Sequence, residues 1–260
     1  MMRFPLRLTA DLALARIAQK LRPAPGARLV QFVDAADVLH SDSSHPVSHE
    51  KIREIIGSRS PVVWIGGGEP LRHPGIAHLV RAITGSGHFV FLETDGTLLR
   101  RRIHEFQPVS RLFVTVRLET HAQNRTSRSL RTDASDLAIE GIRAARLSGF
   151  SICVHGRVNS DTEISEVAEL IQLAHSSDVD GIVISPASSK SNSVNPDAAL
   201  SLQKTAKARK LIGSAWWESF SRFIEAAVRG ERDAVRSAEE KSGAPVEQES
   251  RANEEGVKVA

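Results

Sequence analysis

The chain has 260 residues, of which 41% are hydrophobic and one is a cysteine, and its formal net charge is +3 at pH 7. No run of residues approaches the roughly 18 apolar positions of a membrane-spanning helix, and the length suits one large core. A single cysteine excludes a disulfide within the chain, so we expect a cytoplasmic protein. The small excess of positive charge does not indicate a nucleic-acid partner.

Residues 1–27 predict a leader helix ahead of the main domain. Leu12, Ile17 and Leu21 recur at a spacing that forms one helical face, with basic residues outside it. Charged residues interrupt the apolar run that a signal peptide would need. We expect this face to pack on the main domain. Contact with anionic lipid, which would make the protein membrane-peripheral, is the alternative.

Strand-like and helical segments alternate between residues 28 and 229. The strand segments, in chain order, are RLVQFV, PVVWIG, HFVFLET, RLFVTVRL, SICVHGRV and DGIVIS, and a helical segment follows each. Apolar strands separated by helices are typical of a parallel sheet covered on both faces. The sequence therefore predicts an α/β fold, a partial (β/α)6 TIM-like barrel, with ligands at the carboxyl ends of its strands.

Two segments follow the last of these units. AWWESFSRFIEAAVRG predicts an aromatic helix that seals the barrel, with a partner or lipid surface as the alternative. The residues of its stripe are Trp216, Trp217, Phe220, Phe223 and Ile224. Residues 230–260 hold eight acidic and five basic side chains and no aromatic, which predicts a charged, disordered tail.

The segment PVVWIGGGEPLRHP, residues 61–74, ends a buried strand on glycines. Glycine lets a ligand approach unpaired backbone groups at a strand end, and a glutamate there suits an ammonium or hydroxyl group. A simple turn is the alternative, since short glycine motifs are common. The candidate binding residues are Gly66, Gly67, Gly68, Glu69 and Pro70.

Polar side chains also lie near the ends of the other predicted strands. They are Glu93 and Asp95 on the third, Thr115 and Arg117 on the fourth, His155 and Arg157 on the fifth, and Ser185 on the sixth. Because parallel strands end at one rim, we expect these groups to line one pocket. The candidate catalytic residues are Glu69, Asp95 and His155.

Four segments, in this order and spacing, resemble radical S-adenosylmethionine enzymes. They are PVVWIGGGEPLRHPGIAHLVRAI, HFVFLETDGTLL, AIEGIRAARLSGF leading into SICVHGRVNSDTE, and VDGIVISPA. The likeness covers about residues 28–229 and is closest to the hopanoid-biosynthesis members that form adenosylhopane.

This resemblance implies site residues. It implies that Gly67, Gly68 and Glu69 hold the methionyl amino group of S-adenosylmethionine. It also implies ligand contacts by Asp95, which replaces the family's asparagine, and by Thr115, which replaces a serine. Arg125 falls where the family places an arginine near the cofactor carboxylate.

The loop after the first strand departs from the family. Its members place CxxxCxxC there, and three thiolates hold a 4Fe–4S cluster. The corresponding segment VDAADVLHSDSSHPVSHE contains no cysteine, and Cys153 lies on the fifth strand. We therefore expect the cluster, and with it the deoxyadenosyl radical, to be absent. A cluster completed by a partner or by other ligands is the alternative.

The same loop is rich in histidine. A mononuclear metal on His40, His45 and His49 is one interpretation. A polar loop that caps the next helix is the favoured one, because the spacing specifies no coordination geometry.

Three functional hypotheses follow. In the favoured one, a degenerate radical SAM-like protein binds S-adenosylmethionine or a related nucleoside, or acts as non-catalytic partner of an active relative in hopanoid or lipid metabolism. In the second, an enzyme re-uses Glu69, Glu93, Asp95 and His155 for acid/base chemistry. In the third, a partner completes the cluster of a true radical enzyme. The expected partners are a nucleoside or lipid-like molecule and another protein.

Overall fold

A computed structural model describes residues 4–21, 28–38, 49–118, 128–187 and 196–227. Its strands are β1 Val30–Asp34, β2 Val62–Gly66, β3 Phe89–Thr94, β4 Leu112–Leu118, β5 Ser151–Val158 and β6 Gly181–Pro186. They form one sheet in the order β1 to β6, and every neighbouring pair is parallel. The predicted partial barrel is confirmed as a curled half-barrel of six parallel strands.

Helices connect these strands, and among the described residues one helix precedes β1 and two follow β6. The helices are α1 Leu6–Leu21, α2 Ala35–Val38, α3 His49–Gly57, α4 Ile76–Gly85, α5 Leu99–Arg102, α6 Arg128–Leu147, α7 Ile164–Ser176 and α8 Pro196–Arg209. A last helix, α9, spans residues 215–227. None of the helices in the described part of the chain is long and apolar enough to cross a membrane.

One face of the sheet, here called the inner face, carries a row of stacked aromatic rings. Trp64, Phe91 and Phe113 lie opposite one another in the registers of β2, β3 and β4. Their ring centroids are 5.4 Å and 4.8 Å apart, and the planes are nearly parallel. Residues two positions further along each strand share this face, because side chains alternate along a strand. Polar residues that follow the aromatic row therefore meet above it.

Helix α9 packs against the aromatic part of the inner face. The Phe220 ring lies 4.9 Å from that of Phe91, and Trp217 lies 6.2 Å from Phe113. Gly181 on β6 makes room for it, since a methyl group there would lie 2.1 Å from the Trp217 ring. The predicted sealing helix is present, but its stripe is narrower than expected, because Trp216 is 58% exposed.

Helix α1 is present as predicted, but it buries a different face. Leu8 and Leu12 are buried, whereas Ile17 and Leu21 are exposed. Of the three residues that the sequence placed on the packing face, only Leu12 is buried. A helix buries the side that meets its neighbours, and Leu8 and Leu12, one turn apart, form that side here.

Candidate functional site

The end of β2 depends on glycine for two different reasons. Gly67 has a left-handed φ of +93°, and a methyl group there would lie 2.2 Å from Asp34 Oδ1 at the end of β1. Gly68 is exposed and would meet no atom within 4 Å. The chain therefore turns sharply over Asp34 and presents the backbone of Gly68 to open space.

The carboxylate of Glu69 joins the ends of β2 and β3. Its Oε1 accepts hydrogen bonds from Thr94 Oγ1 at 2.7 Å and from the Leu71 N–H at 3.0 Å. Its Oε2 accepts one from the Asp95 N–H at 2.7 Å. Burial raises the pKa of Glu69, although the hydrogen bonds from Asp95 and Thr94 oppose that rise. Both carboxylate oxygens thus accept hydrogen bonds from the protein. Glu69 also caps the short 3-10 turn that begins at Pro70.

Asp95 belongs to its own turn. Its Oδ1 accepts hydrogen bonds from the Thr97 N–H at 2.9 Å and from Thr97 Oγ1 at 2.7 Å. An aspartate that bonds the backbone two residues ahead stabilises a local turn. Asp95 Oδ1 therefore stabilises the loop after β3.

Glu93 is the centre of a buried polar cluster on the inner face. Its Oε1 accepts hydrogen bonds from Arg117 Nη1 at 3.0 Å and Arg157 Nη2 at 3.1 Å, and its Oε2 accepts one from Trp64 Nε1 at 2.7 Å. Burial is the largest influence and would raise the pKa of Glu93. The combined charges and donors of His155, Arg157 and Trp64 outweigh it and hold that pKa far below its usual range. Glu93 is therefore an anion at neutral pH.

His155 lies between this carboxylate and the end of β6. Its Nε2 is 2.8 Å from Ser185 Oγ, and its Nδ1 is 3.5 Å from Glu93 Oε2. The second distance is too long for a good hydrogen bond. Thr115 Oγ1, on the same face, is buried and makes no hydrogen bond within the described part of the chain. The inner face thus holds a charged cluster in which Thr115 Oγ1 and His155 Nδ1 find no hydrogen-bond partner among the described residues.

A family model described as the radical SAM superfamily matches residues 42–184. The chain belongs to the radical SAM superfamily. Among solved structures, Streptococcus suis SuiB bound to S-adenosylmethionine aligns with a TM-score of 0.50 at 14% identity, over 69% of this chain and 45% of that one. At this identity the likeness concerns the fold alone.

Two curated relatives align with part of this radical SAM chain. It is 27% identical over 146 residues to GTP 3',8-cyclase 2 of Pseudomonas aeruginosa, which covers 54% of this chain and 43% of that protein. It is 30% identical over 129 residues to the AdoMet-dependent heme synthase of Methanosarcina barkeri, covering 47% and 36%. The aligned region spans less than half the length of either relative.

The residues of this radical SAM chain do not fit a cluster held by three thiolates. Its one cysteine, Cys153, is fully buried on β5, four strands away from the end of β1. Burial, reinforced by the negative charge of Asp180, raises the pKa of this thiol well above its ordinary value. A buried, neutral thiol is a poor metal ligand, because metals bind the thiolate.

The residues present do fit the polar end of a nucleoside such as S-adenosylmethionine. The backbone of Gly67 and Gly68 is exposed at the end of β2; the Asp34 carboxylate lies beside Gly67, and no side chain lies next to Gly68. Unpaired backbone groups at such a strand end can hydrogen-bond an ammonium or a hydroxyl group. Glu69 keeps this turn next to the end of β3.

Three residues named from the sequence lie outside the described residues: Arg125, His40 and His45. His49 is described and begins α3 with an exposed side chain. Within the described ranges, no group of three or more histidine, cysteine or acidic residues could hold a metal ion. The metal interpretation therefore has no support from the part of the loop that is described.

The structure adds two residues that the sequence analysis did not select. Asp34 lies under the Gly67 turn, and Trp64 donates to Glu93. A tryptophan within an otherwise aliphatic strand, two residues before its glycine end, was the available signal for the second. Asp34 carried no such signal, because its role depends on the approach of a neighbouring strand.

Proposed function

We propose that this protein binds S-adenosylmethionine or a related nucleoside at the carboxyl ends of its strands and does not cleave it with a cluster of its own. One observation carries this proposal: Gly68 at the end of β2 faces open space, whereas Cys153, the one cysteine of the sequence, is fully buried on β5. The binding part of a radical SAM site is retained without the ligands of the cluster. The protein is then a degenerate member of the superfamily.

In this proposal the chain's own residues bind and position the ligand. The exposed backbone of Gly67 and Gly68 contacts its polar end, and the open space beside Gly68 admits the ligand. Glu69 acts as a positioning residue, since its carboxylate is engaged by Thr94 and Asp95. Arg117 and Arg157 stay ordered on Glu93 and line the inner face beyond the turn.

A non-catalytic role follows for the protein as a whole. It would act as a ligand-sensing partner or regulator of an active relative. The resemblance of residues 28–229 to hopanoid-forming enzymes supports lipid metabolism as the setting. Glu69 and Asp95 are less available for acid/base chemistry, because their carboxylates are engaged in turns.

Calorimetric titration tests the binding step. The wild type is titrated separately with S-adenosylmethionine and S-adenosylhomocysteine, and Gly68→Leu is compared with Gly57→Leu. A methyl group added at either position would meet no atom within 4 Å, so both variants should fold. We expect Gly68→Leu to weaken binding at least about tenfold by filling the site, and Gly57→Leu to bind like the wild type. Failure of the wild type to bind either compound would overturn the proposal.

A separate assay tests the cluster. Iron and acid-labile sulfide are measured on protein reconstituted under anaerobic conditions, alone and after Cys153→Ala. We expect no stoichiometric cluster in either protein. A stoichiometric cluster in the wild type would contradict the loss of radical chemistry and would favour a partner or other ligands.

A further inference from the structure

Helix α1 has a second apolar face that the main domain does not cover. Leu8 and Leu12 are buried against the domain. The opposite side of the helix carries five apolar residues at spacings of four, four, three and four, which we call the outer stripe. It consists of Leu6, Ala10, Leu14, Ile17 and Leu21. These spacings follow the 3.6-residue period, so the five side chains line up along one side.

The outer stripe is exposed along its whole length. Leu6 is 86%, Leu14 64%, Ile17 54% and Leu21 77% exposed. Single exposed leucines are common on protein surfaces, but four large apolar side chains aligned on one helical face indicate a binding surface.

The charged side chains of α1 are mostly basic. The helix contains Arg7, Arg16 and Lys20 and one acidic residue, Asp11. By the helical period, Arg7 borders one side of the stripe and Arg16 and Lys20 lie beyond its other side. The acidic residue, Asp11, is paired with Arg111 Nη1 at 3.3 Å. The apolar stripe therefore lies within a surface that attracts anions.

We propose that α1 docks on the surface of an anionic lipid bilayer through the outer stripe. The helix would lie in the plane of the interface, with Leu14 and Ile17 inserted and Arg7 and Lys20 among the headgroups. Charge complementarity favours a lipid surface, because an apolar stripe with basic borders matches a layer whose acyl interior lies beneath negative headgroups. This proposal does not depend on nucleoside binding.

Vesicle sedimentation with the full chain tests the docking surface. Vesicles of equimolar phosphatidylglycerol and phosphatidylcholine are compared with vesicles of phosphatidylcholine alone. We expect binding to the anionic vesicles, weaker binding to the neutral ones, and a decrease in binding as salt is added, because salt screens the headgroup attraction. Equal binding to both vesicle types, or none to the anionic ones, would overturn the proposal.

A pair of variants separates the stripe from general surface hydrophobicity. Leu14→Glu with Ile17→Glu places two charges in the stripe, and Leu147→Glu changes a leucine that is 90% exposed at the end of α6. We expect the double variant to lose at least about tenfold in vesicle affinity and the control to lose none. Circular dichroism should show both folded.

The same variants also identify the competing occupant. Analytical ultracentrifugation without lipid shows whether the wild type self-associates. Self-association that the double variant abolishes, without vesicle binding by the wild type, would assign the stripe to a second copy and overturn the lipid proposal. Undiminished vesicle binding by the double variant would overturn it as well.

Discussion

Glu69 Oε2 accepts a hydrogen bond of 2.7 Å from the backbone N–H of Asp95. The bond joins the residue that follows β2 to the residue that follows β3. The glutamate of the glycine-rich segment is therefore part of the architecture of the strand ends, whatever it contacts in a ligand. A substitution of Glu69 therefore disturbs the link between these strand ends as well as any contact with a ligand.

Replacement of Glu69 by alanine should destabilise the protein. It leaves the Thr94 hydroxyl and the Asp95 N–H without their acceptor, and we expect the free energy of unfolding to fall by about 1–3 kcal/mol. Urea denaturation measures it. A loss of ligand affinity in Glu69→Ala would then report a disturbed turn, which is why Gly68→Leu is the sharper test of contact. Wild-type stability in Glu69→Ala would contradict the structural role.

The ionisation of Glu69 should also affect stability as the pH changes. Burial raises its pKa in the folded protein above the ordinary 4.5, so the folded state favours the protonated carboxyl. This contribution is present below pH 4.5 and is lost as the pH rises through the raised pKa. The free energy of unfolding is measured across this pH range for the wild type and for Glu69→Gln. The wild-type value minus the Glu69→Gln value should decline as the pH rises. A difference that grows with pH would contradict the direction of the shift.

Glu93→Gln should destabilise the protein, and the loss of stability should become smaller as the pH falls. It removes the charge that compensates Arg117 and Arg157, so we expect a loss of about 2–4 kcal/mol at neutral pH. The pKa of Glu93 is held far below 4.5 in the folded protein, so its contribution is complete above pH 4.5 and is lost as the pH falls through the lowered pKa. Thermal unfolding of both proteins from neutral to acidic pH should show the difference shrinking. A constant difference would refute this account.

Gly181→Ala should disturb the contact between α9 and the sheet. The new methyl group would lie 2.1 Å from the Trp217 ring, which is fully buried, and we expect a loss of about 1–3 kcal/mol. Tryptophan fluorescence during unfolding measures it. Gly57→Ala is the matched control, because the new methyl group would meet no atom within 4 Å. Its free energy of unfolding should stay within about 0.5 kcal/mol of the wild-type value. Equal stability of the two variants would show that α9 does not pack as described.

Cys153 should be unreactive in the folded protein. Its side chain is fully buried, and burial raises the pKa of its thiol, so little thiolate is available to an aqueous disulfide reagent. We expect slow labelling in buffer and rapid labelling in urea. Fast labelling of the native protein would place the thiol at the surface and reopen its use as a ligand.

Some features were decided by local sequence and could be predicted. The order of six strand–helix units follows from apolar runs separated by helical periodicity, and both signals depend only on neighbouring residues. The count of one cysteine ruled out three thiolate ligands from this chain. The three glycines have different surroundings, because Gly66 is buried, Gly67 packs over Asp34, and Gly68 faces open space. The superfamily match over residues 42–184 agrees with the fold that these patterns predicted.

The contacts within the site were decided by tertiary structure. Glu93 meets Trp64, Arg117 and Arg157, which lie 29, 24 and 64 residues away in the chain. Strand register and long side-chain rotamers place these groups together, and neither is encoded within one segment. The packing face of α1 is a second case, because both sides of that helix carry leucines. Only the domain beside it determined that Leu8 and Leu12 are buried and that Ile17 and Leu21 face outward.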